Sequence, residues 1–421
     1  MLHARYRFLT LLLPCLVVLS TLASAQEKTY RLAIGDPARK DREVPVTLDM
    51  IIDTATGKPV MTDELALRLR DTKLLLIGES HTSMEFHRVQ YEVIKALNEA
   101  GRRVLIGLEM YPYTEQRSLD AWRDGLMTEE GFVRLSRWYQ NWGYHWHYYR
   151  DIFLYARDHE IPMYAVNAPR DVVSAVRKKG FQNLTPEEAA HIPTEMDVES
   201  ADHMTFFKSF FAEGDTLHAG MGEDMWKAMH SAQVTWDATM GFNAVQALKK
   251  ANDPNAIMVV LVGSGHVSYG LGIERQARKW LSGKITTLVP VPVTDSEGER
   301  IPAVQASYAN YVWGIPGERE SLYPSLGIST TSGEGGRRKI IQVQKDSPAD
   351  KAGLKVGDVI LTMDGQPLAD LETFNVIMSR QRWADRMAIM VSRDGKEETL
   401  TVVFRRDTAE PAKAPQSSTR P

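Results

Sequence analysis

The stretch that decides the fold of the first domain is Leu74-Leu75-Leu76-Ile77-Gly78-Glu79-Ser80-His81. Its apolar part predicts a strand that is buried on both faces, as in a parallel sheet. A helix should follow, with Thr82 and Glu85 forming its capping box and Gly101 ending it. Glu79 and His81 therefore lie at the carboxyl end of the strand, where open α/β sheets bind ligands.

Three further apolar runs also end in polar residues. The runs and their end residues are 104–108 with Glu109, 161–166 with Asn167, and 257–262 with the turn Gly263-Ser264-Gly265-His266. The carboxyl ends of neighbouring parallel strands meet at one edge of a sheet. We therefore expect Glu79, His81, Glu109, Asn167 and His266 to share one site.

The candidate catalytic residues of this site are Glu79, His81, Glu109 and His266. Glu79 and His81 are two residues apart, so both side chains can point the same way from an extended backbone. This pair is either a set of metal ligands or a base beside a histidine, unless Glu79 only caps the helix. Glu79, His81 and His266 are the candidate metal ligands, and the glycines around His266 allow close backbone approach. His87 either binds the ligand itself or supports a residue that does, unless it is only a solvated helix residue.

The first 25 residues are typical of a secretory signal peptide. Arg5 and Arg7 precede an apolar run, 8–20, and Ala23-Ser24-Ala25 fits a small-x-small cleavage site. We expect cleavage after Ala25 and a periplasmic or secreted mature protein.

The single cysteine, Cys15, lies inside this signal peptide. The mature chain would then form no disulfide and carry no Cys-x-x-Cys-His attachment site for c-type haem. A formal net charge of -4 gives no indication of nucleic-acid binding. No later segment has the length and apolar character of a transmembrane helix.

The rest of the 421-residue chain divides into segments of different character. The predicted segments are an N-terminal entry segment, 26–70; an α/β domain, 71–312; a β-rich domain, 323–406; and a disordered tail, 407–421. Alternating strands and helices in the α/β domain indicate a parallel sheet. Two helical inserts, about 112–160 and 170–250, interrupt the alternation and can cover the site. The first insert is rich in aromatic residues, which predict mainly a hydrophobic core.

The β-rich domain closely resembles a PDZ domain. The matching residues are Ser325-Leu326-Gly327-Ile328, Asp346-Ser347-Pro348-Ala349-Asp350-Lys351-Ala352-Gly353-Leu354 and Lys355-Val356-Gly357-Asp358-Val359-Ile360. The resemblance implies that Ser325, Leu326, Gly327 and Ile328 form the loop whose N–H groups bind a peptide's C-terminal carboxylate. It also implies a protein partner whose C-terminus adds to the sheet as a strand.

The α/β domain resembles the ChaN-like haem-binding domain of the Tiki/erythromycin-esterase superfamily. The matching motifs are Gly78-Glu79-Ser80-His81 with His87 and Gln90; Gly107-Leu108-Glu109; Ala165-Val166-Asn167-Ala168-Pro169; Ala232-Gln233 with Trp236-Asp237 and Met240; and Gly263-Ser264-Gly265-His266 with Gly270. The resemblance implies an α/β fold with a parallel sheet and helical inserts. ChaN-like proteins are associated with haem binding and iron uptake, whereas Tiki relatives are metal-dependent proteases.

Two functions follow from these resemblances. In the first, the site binds haem or iron for iron acquisition, and a tyrosine or histidine would be the axial ligand of haem; the candidate cofactor-binding residues are His87, Tyr111, Asn167 and Tyr269. In the second, the protein is a hydrolase in which Glu79 or Glu109 activates water, alone or on a divalent metal such as zinc, manganese or cobalt. A weaker alternative is a scaffold without catalytic activity. The haem-binding branch gives the better overall resemblance.

Overall fold

A computed structural model describes residues 29–211 and 222–406. The predicted signal peptide with Cys15 and the predicted tail after residue 406 lie outside the described residues. Between Leu322 and Tyr323 the described residues separate into two compact units.

The first unit contains a large sheet and a small one. Its strands are β1 (Glu43–Pro45), β2 (Ile51–Asp53), β3 (Lys58–Val60), β4 (Thr72–Glu79), β5 (Arg103–Pro112), β6 (Met163–Asn167), β7 (Ala256–Gly263), β8 (Lys284–Pro292), β9 (Ala303–Gln305) and β10 (Tyr311–Ile315). Among the described residues, the large sheet has eight strands in the order β3-β2-β10-β8-β4-β7-β5-β6, and β1 pairs with β9.

The strands that carry the predicted site are parallel neighbours. β4 pairs with β7, β7 with β5 and β5 with β6, all in parallel register, with Glu79 opposite Gly263. The predicted α/β class is therefore confirmed. The sheet as a whole is mixed, because β2 pairs antiparallel with both β10 and β3. The strands of the entry segment were not predicted, because runs of three residues carry too little periodicity to detect.

Helices connect these strands and cover the sheet. They are α1 (Thr62–Arg68), α2 (Met84–Glu99), α3 (Gln116–Arg123), α4 (Glu129–Leu135), α5 (Trp138–Asn141), α6 (Arg150–Asp158), α7 (Arg170–Lys179), α8 (Pro186–Ala189), α9 (Ala201–Ser209), α10 (Glu223–Ala251) and α11 (Ile273–Ala277). The aromatic residues of the first insert mostly form a core, as predicted. Trp122, Trp138, Phe132 and Phe153 are all fully buried and contact one another.

Helix α2, which directly follows the Glu79–His81 motif, differs from the prediction at its start. Its apolar face is buried and Gly101, with a φ of 76°, follows its end, as expected. The predicted capping box of Thr82 and Glu85 is wrong. Ser83 is the N-cap, and its side chain makes no capping hydrogen bond to the helix. The side chain of Glu85 instead bonds Arg88, at 2.8 Å.

The second unit is a small β-rich domain. Its elements are β11 (Ile328–Ser332), β12 (Arg338–Val343), α12 (Pro348–Lys351), β13 (Val359–Met363), β14 (Gln366–Pro367), α13 (Leu371–Ser379), β15 (Arg386–Arg393) and β16 (Lys396–Val403). The sheet order is β11-β12-β13-β15-β16, so β11 is an edge strand. Ile340, Ile360, Met387, Ile389 and Phe404 belong to its buried core.

The central strand of the large sheet should dominate the stability of the first unit. Leu76 of β4 is fully buried, and Leu76→Ala should lower the free energy of unfolding by about 2–5 kcal/mol through lost contacts and a cavity. The matched control is Leu67→Ala on α1, because Leu67 is 65% exposed and should change stability by less than about 0.5 kcal/mol. Urea unfolding followed by circular dichroism measures both; equal losses would contradict the assigned core.

Candidate functional site

A cavity of about 310 Å³ lies at the carboxyl ends of β4 and β7. We call it the rim cavity. Its polar lining comes mainly from the two predicted motifs and from α10, and its apolar lining comes from several segments. The polar residues are Thr29, Glu79, Ser80, His81, Gln233, Ser264, His266 and Ser268, and the apolar ones include Tyr30, Phe86, Phe206, Phe210 and Tyr308. Its volume is at the small end of the range for ligand pockets, about 300–1,000 Å³.

Glu79 is the most deeply buried acid of this cavity, with a fully buried side chain. Its Oε1 accepts hydrogen bonds from Tyr149, at 2.6 Å, and from His81 Nδ1, at 2.8 Å. Its Oε2 accepts from Gln90 Nε2, at 2.7 Å. Burial alone would raise the pKa of Glu79, but His87, His81 and Tyr149 outweigh burial and lower it to about 2. Glu79 is therefore an ionised hydrogen-bond acceptor at neutral pH.

His81 has one occupied and one available ring nitrogen. An ionised carboxylate only accepts hydrogen bonds, so Nδ1 of His81 carries the proton that Glu79 receives. Nε2 has no hydrogen-bond partner within the described ranges, and the side chain is 25% exposed. Burial lowers the pKa of His81, but the carboxylates of Glu79 and Glu109 outweigh this and raise it. The rings of Trp142 and Tyr144 lie 4.8 and 4.7 Å from the imidazole.

Two carboxylates, Asp237 and Glu109, contact the ring nitrogens of His266. Its Nδ1 lies 2.6 Å from Asp237 Oδ1, and its Nε2 lies 3.4 Å from Glu109 Oε1. Burial would lower the pKa of His266, but Asp237 and Glu109 outweigh burial and raise it to about 10. His266 is therefore a cation between two acids at neutral pH. The other oxygen of Glu109 accepts from the Gly263 amide, at 2.7 Å.

The Glu79–His81 pair and the Glu109–His266–Asp237 group approach each other at Gly263. A Cβ at this position would lie 3.0 Å from His81 Cε1 and 3.7 Å from Glu109 Oε2. Any larger residue would therefore push the imidazole of His81 away from its place beside Glu79. The structure thus brings together Glu79, His81, Glu109 and His266, as the sequence predicted.

Of the predicted cofactor-binding residues, the two tyrosines lie away from the rim cavity and Asn167 lies beside Glu109. The Tyr111 hydroxyl is bonded to Ser136 in a buried position, and the Tyr269 hydroxyl donates to the carbonyl oxygen of Thr29. Neither tyrosine lines the rim cavity. Asn167 donates to the Glu109 carbonyl oxygen, at 2.8 Å, and so supports the backbone at the end of β5.

His87 contacts two residues of the site, Gln90 and His81, from a buried position on α2. It is 3% exposed, its Nδ1 lies 3.1 Å from Gln90 Oε1, and its Nε2 lies 3.4 Å from the His81 carbonyl oxygen. His87 is therefore a buried residue that contacts the site, not a solvated helix residue.

Three residues of the site had no predicted role. Gln90 and Asp237 belong to the motifs that carry the family resemblance, but nothing in the sequence shows that they bond Glu79 and His266. Asp237 is fully buried on α10, so an acid within an apolar helix segment was the available signal. Tyr149 comes from the aromatic insert, where it could not be separated from the core tyrosines.

Within 29–211 and 222–406, no group of three or more His, Cys, Asp or Glu side chains has an arrangement that would hold a metal ion. The carboxylates of the rim cavity are instead hydrogen-bonded to histidines, to Gln90, to Tyr149 and to a backbone amide.

The second unit has the predicted loop beside its edge strand. The Leu326 carbonyl oxygen accepts from the Ala349 amide, at 3.0 Å, and the Gly327 carbonyl oxygen from Gln344, at 2.8 Å. Gly327 has a φ of 73°, and a Cβ there would overlap the side chain of Ser347. Ile328 opens β11 and packs, half-buried, on the core.

Comparison with known families agrees with this architecture. A sequence model described as "Haem-binding uptake, Tiki superfamily, ChaN" matches residues 65–276, which is half of the chain. A second one, for the PDZ domain, matches residues 324–403. The chain therefore belongs to the ChaN family of haem-binding proteins in the Tiki superfamily and carries a PDZ domain as well.

Individual relatives match smaller parts of the chain or match it weakly. A probable periplasmic DegP-like serine endoprotease of Marinomonas sp. (strain MWYL1) is 35% identical over 96 residues, which is 23% of this chain and 20% of that protein. The regulator of sigma-E protease RseP of Escherichia coli (strain K12) is 35% identical over 91 residues, 22% of this chain and 20% of that protein. The chain thus spans about a fifth of the length of these relatives.

One solved structure, described as cofacial heme binding to ChaN of Campylobacter jejuni, has 19% sequence identity with this chain. The superposition covers 62% of this chain and 95% of the ChaN chain, with a TM-score of 0.47.

The depressed pKa of Glu79 makes a prediction for acid stability. A folded-state pKa of about 2, below the ordinary value of 4.5, adds stability that is present above pH 4.5 and is lost as the pH falls towards 2. The loss should be about 3 kcal/mol. The slope of the unfolding free energy between pH 5 and 2.5 should therefore become shallower in Glu79→Gln but stay unchanged in Glu297→Gln, an exposed control. Identical slopes for wild type and Glu79→Gln would contradict the assigned ionisation.

Proposed function

We propose that the rim cavity binds haem and that His81 Nε2 is the axial ligand. The observation that carries this proposal is the state of His81: Glu79 fixes its Nδ1–H, and its Nε2 has no partner in the described ranges. A carboxylate that accepts from one imidazole nitrogen orients the ring and makes the other nitrogen a better ligand.

The available donors fit haem better than a bare metal ion. Haem supplies an iron centre that is already held by its macrocycle and needs only an axial ligand from the protein, such as a histidine. A catalytic zinc site, in contrast, takes three protein ligands. Here Glu79, Glu109 and His266 are engaged with neighbouring groups, whereas His81, of these four residues, has a ring nitrogen without a hydrogen-bond partner in the described ranges.

The surroundings of His81 also suit a flat, largely apolar ligand. The Trp142 and Tyr144 rings lie beside the imidazole, and Phe86, Phe206 and Tyr30 supply apolar lining. Aromatic rings offer such a ligand both contact area and stacking geometry.

We propose that the PDZ domain binds the C-terminus of a protein partner. β11 is the edge strand of its sheet among the described residues, which is where a peptide adds as a strand, and the Ser325–Ile328 loop precedes it. Ile328 and Phe374 of α13 pack, half-buried, against the core, and we assign them to the pocket for the last side chain of the peptide.

The site of action that we propose is the periplasm or the cell exterior. The predicted signal peptide with cleavage after Ala25 supports this assignment, and so do the relatives that are named as periplasmic proteases. None of the helices in the described part of the chain has the length and apolar character needed to cross a membrane.

A second candidate function is hydrolysis. The observation in its favour is the chain Asp237–His266–Glu109, in which a buried imidazolium joins two carboxylates beside the cavity. In that case Glu109 or Glu79 would activate water, with or without zinc, manganese or cobalt held by Glu79, His81 and His266.

The haem proposal is tested by replacing the proposed ligand. His81→Ala should weaken haem binding by about tenfold or more and remove the absorption spectrum of imidazole-ligated haem. His81→Gly should regain that spectrum when free imidazole is added, because imidazole can occupy the vacated position. Titration of haem into each protein, followed by Soret absorption, gives both results.

The matched control for this experiment is His159→Ala, which removes an exposed histidine of the same unit and should leave the spectrum unchanged. A wild-type spectrum in His81→Ala would overturn the assignment of the ligand. Absence of a Soret band in the wild type, together with stoichiometric zinc, manganese or cobalt, would favour the hydrolase instead.

The peptide-binding proposal is tested at Gly327. Gly327→Ala should abolish capture of C-terminal peptides by the full chain, because the new Cβ would overlap Ser347 and the backbone has a φ of 73°. Gly395→Ala is the control, since Gly395 has a similar φ of 79° but open space around it. Haem binding should be the same in both variants. Full peptide capture by Gly327→Ala would contradict the assigned loop.

A further inference from the structure

Helix α2 carries Gln90 and His87, which contact the residues of the rim cavity. The side chain of its N-cap residue, however, accepts no hydrogen bond from the N–H groups of the first turn. The first N–H groups of any helix need acceptors from outside the helix. Ser83 makes no capping hydrogen bond to the helix, and the Glu85 carboxylate is occupied by Arg88. The acceptor must therefore be either water or a group from another part of the chain.

That acceptor is Glu318, more than 200 residues further along the chain. Its Oε1 accepts from the Glu85 amide, at 3.4 Å, and its carboxylate also interacts with the Ser83 hydroxyl and the Met84 amide. The side chain is half-buried. A carboxylate in this position also meets the positive end of the helix dipole.

The backbone around Glu318 is fixed to the first unit. β10 ends at Ile315, whose carbonyl oxygen accepts from the Val293 amide, at 2.9 Å. Gly317 follows, and it packs so closely on Thr294 that a Cβ at this position would overlap the threonine side chain. Glu318 is thus held against α2 by the segment that leads to the PDZ domain, four residues before the first unit ends at Leu322.

The start of α2 is connected to His81 by hydrogen bonds. Gln90 Nε2 donates to Glu79 at 2.7 Å, and Glu79 in turn accepts from His81 Nδ1. His87 lies between Gln90 and the His81 carbonyl oxygen, at 3.1 and 3.4 Å. A shift or fraying of the first turns would move Gln90 and His87 and so release Glu79.

We infer that Glu318 is a positioning residue for the rim cavity: by closing the first turn of α2, it holds Gln90 and Glu79 where they orient His81. This inference rests on the proposed haem function. It differs from an ordinary helix cap because it predicts an effect on ligand binding and not only on stability. When the binding-competent arrangement is only partly populated, affinity falls by the same fraction.

The experiment uses the full chain and four variants. Glu318→Ala removes the acceptor, and Glu318→Gln keeps one acceptor oxygen but loses the charge. Ala96→Gly weakens the same helix near its other end, without touching the first turn. Glu297→Ala removes an exposed acid from a nearby loop. Each variant is measured by haem titration, by the absorption spectrum of the complex and by urea unfolding.

We expect Glu318→Ala to weaken haem binding by at least about threefold and to reduce the imidazole-ligated fraction, with Glu318→Gln intermediate. Ala96→Gly should lower the unfolding midpoint but keep the wild-type spectrum and affinity, and Glu297→Ala should change neither. If Glu318→Ala binds haem like the wild type, or if Ala96→Gly loses as much affinity, the positioning role is refuted. If the wild type itself shows no imidazole-ligated haem, the proposed haem function is refuted, and the positioning role falls with it. The unfolding data then measure only how much Glu318 stabilises the start of α2.

Discussion

A fully buried carboxylate, Glu79, organises this protein. Glu79 ends the central strand of the large sheet, and an ionised acid in that position is stable only if donors surround it. Its donors come from three separate segments: His81 from the strand end itself, Gln90 from helix α2, and Tyr149 from the aromatic insert. Meeting this one requirement fixes where those segments lie, and it leaves His81 with one nitrogen available.

The parallel sheet then brings a second acid to the same place. Glu109 lies in the last part of β5, three residues before its end at Pro112 and two strands from Glu79, and it accepts a hydrogen bond from the Gly263 amide of the intervening β7. His266, which follows β7, lies between Glu109 and Asp237. The cavity thus contains an imidazolium that is neutralised by two acids and an imidazole that is oriented by one. This difference in environment is why we assign ligand binding to His81 and not to His266.

The sequence predicted what depends on local pattern. Apolar runs that end in Glu, His or Asn located four parallel strands and the convergence of Glu79, His81, Glu109 and His266, and the Gly327 loop identified the PDZ domain. It did not predict contacts between distant segments, such as those of Glu318 with α2 and of Asp237 with His266. Tyr111 and Tyr269 were predicted to bind the cofactor because they lie next to site motifs in the sequence. In the structure, the hydroxyl groups of both are hydrogen-bonded to residues outside these motifs.

The most direct test of this account is a crystal structure of the haem-loaded protein. We predict iron bonded to His81 Nε2, with Nδ1 still donating to Glu79. Iron ligated by another residue would contradict it. So would a cavity in which His81, Glu79 and His266 together hold a metal ion.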